Sequence, residues 1–390
     1  MRVLIYTHTF APSRGGVETY VMLLAEGLSN FSKEGEEPVE VTIATQTPAG
    51  EMDDTRLPYR VVRRPRLLQL AKLIRAADVI HAAGPAFLAL ALGWLFRKPV
   101  IVEHSGYQSI CPNGMLLYGP KRVLCPGHFM AGQYAECVRC NVEDWGRSRS
   151  IRGLLFTFPR RWLCRRVTFN VGPSQHIANR IALPKTEVIF HGIPPLPEPA
   201  ALEVSRKSPN PICFAYVGRL VIEKGVSILL QAAHQLAQSG FDFRLRILGD
   251  GPERQNLENL AHELELQTRV EFLGSVPMEG VGDALGGADA VVMPSVWEDV
   301  APLVAIEQMM RAKLVIGSDI GGLGEELGST GLKFPAGDAA ALAECMKRVI
   351  EDSELARQIG KAARVRALNL FTRDRMVQAH ASMYRRALQC

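Results

Sequence analysis

The 390-residue chain lacks any stretch apolar enough to cross a membrane. Its longest apolar run, residues 82–96, is interrupted by Gly84, Pro85 and Gly93 and falls short of the roughly 18 residues that a span needs. That run reads as a packed helix between strands. The front lacks a charged-then-apolar leader and opens on the strand pattern RVLIYTHTF. The expectation is a cytoplasmic protein, attached at most peripherally to the inner membrane face. Acid is scarce in the first half: residues 1–200 hold 24 Lys+Arg against 16 Asp+Glu, and the rest holds 21 against 24. The positive field of the first half favours an anionic partner such as phospholipid, polyprenyl phosphate or phosphorylated glycan. No nucleic-acid motif accompanies it. The dinucleotide fingerprint G-x-G-x-x-G is missing, which removes support for a nicotinamide cofactor. An Asp-x-Asp motif is missing too.

What is present is an ordinary globular composition, 47% hydrophobic and 22% charged, long enough for two domains. Short apolar strands alternate with helices. RVLIY, VEVTIATQ, ADVIHAAG, PVIVEHSG, VTFNVGPS and TEVIFHGI form a first series. ICFAYVGRL, FRLRILGDG, VEFLGSV, ADAVVMPS and KLVIGSD form a second, and helix follows from Ala339. This is the pattern of parallel α/β sheets. The expected architecture is two doubly wound, Rossmann-like domains facing across a cleft. They would span residues 1–195 and 211–370, joined by a Pro-rich linker over 196–210.

Chemistry concentrates where strands end. Residues 293–324 place Asp299 and Glu307 around an apolar PLVAI, before a strand and a Gly-Gly turn. Carboxylates take sugar hydroxyls, while helix-start amides take phosphate. Arg219 and Lys224 lie in the strand-to-helix loop of YVGRLVIEKG, suited to neutralise a diphosphate. Gly15 and Gly16 follow the first strand, where tandem glycines let backbone approach a ligand. His104 follows a parallel strand, and Glu103 beside it should face the other way. Ser105 and Gly106 are weaker candidates.

In their order and spacing, the Gly-Gly loop, YVGRLVIEKG, ILGDGPE, VEFLGSV and the acidic segment with SDIGG resemble the GT-B-fold retaining glycosyltransferases of family 4. The likeness runs through nearly the whole chain. It implies transfer of a sugar from a nucleotide-diphosphate sugar to a glycan, lipid-linked or small-molecule acceptor. It implies Arg219 and Lys224 on the diphosphate, Glu307 on the ribose, and no catalytic metal. It puts Gly15, Gly16, Gly249, Val300, Ala301, Pro302 and Leu303 around the donor, with Pro302 unable to donate. His104 and Asp299 would lie near the reacting sugar. The family pattern is Glu-x7-Glu, and this chain carries Asp299 in the first position, one methylene shorter, with Glu298 adjacent. The terminal residues 371–390 would form a helix packing back on the first domain. A sugar-nucleotide epimerase, a phosphorylase and a non-catalytic nucleotide-sugar-binding protein share the architecture. A phosphorylase would need a pyridoxal lysine, which nothing marks.

Two further features belong to the first half. Cys111, Cys125, Cys137 and Cys140 fall within an insertion at about 107–145 and end in C-x2-C. They suit a structural zinc site, with His128 as an alternative ligand, an iron–sulfur cluster as another occupant, and unligated thiols as the plain reading. Residues 147–166 hold seven Arg and no acid among Leu, Phe and Trp, a pattern for an anionic membrane surface. Pro159 is expected to break that helix.

Overall fold

The computed structural model describes residues 1–13, 15–31, 38–50, 52–120, 123–197, 211–276 and 278–390. The expected linker at 196–210 lies almost wholly outside them. The chain divides into two compact units, Met1–Pro194 with Phe371–Cys390, and Pro195–Leu370.

The first unit runs β1 (Arg2–Thr7), α1 (Gly16–Ser29), β2 (Glu40–Thr45), β3 (Arg60–Arg63), α2 (Leu67–Ala76), β4 (Val79–Ala83), α3 (Phe87–Leu95) and β5 (Val100–Glu103). A small antiparallel hairpin follows, β6 (Leu117–Tyr118) with β7 (Val123–Leu124). Then come α4 (Tyr134–Trp145), α5 (Arg147–Cys164), β8 (Phe169–Gly172), α6 (Gln175–Ile181) and β9 (Thr186–Val188). Seven strands make one sheet in the order β3-β2-β1-β4-β5-β8-β9, parallel throughout. Helices cover both faces of such a sheet, so its inner strands are apolar without alternation.

The second unit runs β10 (Ile212–Val217), α7 (Val226–Gln238), β11 (Phe243–Leu248), α8 (Arg254–Glu263), β12 (Val270–Gly274), α9 (Met278–Ala284) and β13 (Ala290–Met293). It continues through α10 (Leu303–Met310), β14 (Leu314–Ser318), α11 (Gly321–Leu327), β15 (Leu332–Phe334), α12 (Ala339–Glu351) and α13 (Ser353–Leu370). Its parallel sheet has the order β12-β11-β10-β13-β14-β15. The core packs Phe214, Leu229, Phe243, Ile247, Val292, Ile316 and Met346.

The last helix, α14 (Arg373–Leu388), belongs to the first unit. Its Met376, Val377, Ala381, Met383 and Tyr384 enter the same core as Ile5, Leu24, Leu28 and Ile43.

One local expectation is corrected. Pro159 does not break its segment, because α5 is continuous from Arg147 to Cys164. The N–H that proline lacks would have bonded the carbonyl of Leu155, a residue 61% exposed, where water can serve that oxygen.

Candidate functional site

In each sheet the strand order reverses once, between β1 and β4 and between β10 and β13. Loops at such a reversal splay apart and leave a crevice at the strand carboxyl ends. In the second unit, the loop after β10 carries Arg219 and Lys224, the latter in a single 3₁₀ turn (Ile222–Lys224). The loop after β13 carries Ser295, Trp297, Glu298 and Asp299. The two loops meet. The Lys224 ammonium pairs with Asp299 Oδ2, and the Ser295 hydroxyl donates to the same oxygen at 3.4 Å. Lys224 Nζ also lies 5.8 Å from the centroid of the Trp297 ring.

The Asp299 backbone is fixed from a third loop. Gly322 N–H donates to the Asp299 carbonyl at 2.6 Å. Gly321 has φ 62°, and a Cβ there would overlap the Asp299 backbone, so the turn after β14 requires glycine on both counts. Two more acids lie on helices of this unit. Glu307, in α10, is pushed up to about 7 by burial, against the pull of Arg311. Glu326, in α11, is 1% exposed, and its Oε2 has no hydrogen-bond partner among the described residues. Burial first, then the charge of Asp299, raises it well above the usual carboxylate range, against Arg366 and Lys224. That shift favours the protonated acid, an O–H donor.

The sequence reading did not single out Glu326. The available signal was an acid between Leu323 and Leu327, three residues after the first and one before the second, on the buried side of a helix.

The other expected donor residues of this unit lie in the loops after β10, β11 and β13. Arg219 does not join the Lys224–Asp299 pair: its side chain is 74% exposed and 4.0 Å from Glu223, while its carbonyl accepts from the Tyr216 hydroxyl at 2.8 Å. Gly249 packs directly on Gly218, and both help line a groove of about 220 Å³ with Arg219, Asp250 and Ser275. Val300, Pro302 and Leu303 are buried and Ala301 half-buried as the chain enters α10, with Pro302 in the cap position.

In the first unit, Gly15 and Gly16 are exposed at the start of α1. His104, just past β5, is fully buried. Its Nε2 lies 2.9 Å from Asn170 Oδ1. The Asn170 amide nitrogen donates to the Cys164 and Pro184 carbonyls at 3.0 and 2.9 Å, so Oδ1 must accept. His104 therefore carries its proton on Nε2, leaving Nδ1 as a lone pair without a partner among the described residues. Burial lowers it to about 4.

Glu103 faces the other way, into a buried network with His81, His191, His380, Tyr20 and Tyr384. Its Oε1 is 3.2 Å from His191 Nε2 and its Oε2 is 3.5 Å from His380 Nε2. Tyr20 OH bridges His81 Nε2 and His380 Nε2 at 3.2 and 3.3 Å, and Tyr384 OH meets His81 Nδ1 at 3.0 Å. Burial alone would raise Glu103, but the hydrogen bond with His191 and the closeness of His380 outweigh it and hold it at about 2. Sequence could not assemble this group, because its members come from five separate segments.

The cysteines gather without closing. Cys111, Cys125 and Cys137 are buried and Cys140 is half-buried, all unpaired by disulfides. No three of their sulfurs lie within 4.8 Å of one another.

The profile of Glycosyltransferase Family 4 matches residues 14–195, and that of Glycosyl transferases group 1 matches residues 198–366. Alpha-D-kanosaminyltransferase of Streptomyces kanamyceticus is 32% identical over 150 residues, covering 38% of this chain and 39% of that protein. The 2-deoxystreptamine N-acetyl-D-glucosaminyltransferase of Streptomyces fradiae is 26% identical over 378 residues, covering 90% of this chain and 86% of that one. The solved structure of Anabaena Alr3699/HepE in complex with UDP aligns with a TM-score of 0.71 at 18% identity, over 98% of this chain and 99% of that one. The chain spans under two fifths of the length of the first two curated relatives it matches, 39% and 36%.

Proposed function

The chain belongs to the group 1 glycosyl transferases of the GT-B fold, and from that membership we propose that it moves a sugar from a nucleotide-diphosphate sugar to an acceptor, with retention of configuration. The observation that carries this reading is the Lys224–Asp299 pair at the strand reversal of the second unit, with Glu307 and Glu326 on the helices beside it. Glu307 accepts ribose hydroxyls. Asp299 accepts a hydroxyl of the transferred sugar and is held to that task by Lys224 and Ser295. Arg219, exposed and only loosely tied, swings onto the diphosphate, and Lys224 shares its charge between Asp299 and the leaving oxygen. Preplaced cations stabilise the charge that grows as the diphosphate departs. The diphosphate itself takes the acceptor proton, so the protein need not supply a covalent nucleophile. In the first unit, Gly15 and Gly16 offer backbone to the substrates, and the His104 Nδ1 lone pair accepts from a sugar hydroxyl. UDP in the Anabaena neighbour makes a uridine donor the first to try.

The acceptor side fits a lipid-linked substrate met at an anionic membrane surface. Along α5, Ile151, Leu155, Phe158 and Trp162 recur at helical spacing and are all exposed. Phe156 and Trp162 touch Phe87 and Trp94 of α3 at 5.9 and 5.5 Å between ring centroids, which widens the apolar face. A groove of about 560 Å³ adjoins it, lined by Trp94, Arg97, Lys98, Arg166 and Lys185. Aromatics beside clustered cations suit acyl chains and anionic headgroups together.

Calorimetric titration with a panel of nucleotide diphosphates and their sugars tests the donor reading. One nucleotide should bind, and Glu307→Ala and Arg219→Ala should each weaken it at least about tenfold, the loss of one charge-assisted contact. A folded protein that binds none of them removes the proposal.

A further inference from the structure

The insertion after β5 contains a second kind of chemistry. Cys111 opens it, Cys125 directly follows β7, and Cys137 and Cys140 stand about one turn apart on α4. A single side chain links two of the sulfurs: Cys111 Sγ donates to Asn113 Oδ1 at 3.0 Å, and Asn113 Nδ2 reaches Cys140 Sγ at 3.9 Å. Gly119 N–H donates to Cys140 Sγ at 3.3 Å. Amides aimed at sulfur stabilise a thiolate far more than a thiol, and they are the usual outer partners of metal-bound cysteine.

We propose that Cys111, Cys125, Cys137 and Cys140 bind one zinc ion as four thiolates, and that binding closes the cluster. Cys111, Cys125 and Cys137 are buried and Cys140 is half-buried, so four thiolates gathered here need a cation among them. Four S–H bonds break, four Zn–S bonds form, and four protons pass to solvent. Tetrahedral ligation at about 2.3 Å brings the sulfurs to roughly 3.8 Å apart, so closure needs rotation about the Cα–Cβ bonds and release of the Asn113 bridge. The ion would fasten the β6–β7 hairpin to α4, which packs on α5. It ties down the chain between β5 and β8 and performs no step of sugar transfer.

The test uses the full chain purified from zinc-supplemented medium. Elemental analysis should give one zinc per chain. Cobalt exchanged into it should show intense thiolate charge-transfer bands. Cys137→Ser and Cys140→Ser should lose the metal, while Cys390→Ser and His128→Ala keep it. If the serine variants do not fold, chelation of the wild type followed by zinc return gives the same reading through circular dichroism and the cobalt spectrum. A folded wild type that holds no zinc and gives no cobalt bands overturns the site. So does iron in place of zinc, or zinc lost in His128→Ala.

Discussion

Burial holds the Glu307 carboxyl near pH 7, which makes its protonation measurable through ligand affinity. The ionised form accepts hydroxyl hydrogen bonds, so nucleotide affinity should rise with pH through about 7. In Glu307→Gln that step should vanish, as isothermal titration between pH 5.5 and 8.5 will read. Lys224 and Asp299 act as one unit. Lys224→Met alone should cost about 2 kcal/mol of stability, the scale of a hydrogen bond to a charged group. Adding Asp299→Asn should recover part of it, seen as non-additive chemical-denaturation midpoints. Asp299 and Lys224 were both legible in the sequence as site candidates. Their pairing was not, because 75 residues separate them and only the strand order β10-β13 brings their loops together.

Elements were legible to the extent that their pattern was strong. The long apolar strands stood out, whereas β3, written RVVR, and β15, written LKF, did not, since edge strands this short and charged carry little periodicity. The helix α5 was misjudged at Pro159, for its exposed side tolerates the missing N–H. That exposed side has a consequence of its own. Leu155→Glu with Trp162→Glu should abolish cosedimentation with vesicles rich in anionic lipid. Neutral vesicles should bind the native chain weakly, and raised salt should weaken the anionic interaction. Retained binding in the double variant would remove the α5 face as the contact.

Across the whole molecule the two units should answer acid in opposite directions. His81 and His104 are lowered by burial, to about 3 and about 4, from 6.5. The unfolded chain takes up those protons first, so the first unit loses stability as pH falls below about 6.5. Glu307 is raised from 4.5 to about 7. The folded second unit binds that proton first, so it gains stability as pH falls from about 7 towards 4.5. Scanning calorimetry from pH 7.5 to 5 should show two transitions drawing apart or crossing, and parallel movement would contradict the assignment. The placement of α14 carries a different implication, one about time. Met376, Val377 and Tyr384 complete a core begun at Val3 and Ile5, so on the ribosome the first-made half stays unfinished until the last helix emerges. The second unit, Pro195–Leu370, is continuous in sequence and can fold before it. Synthesis from the amino end thus reverses the order of completion, leaving the first half incomplete while the second unit is already formed.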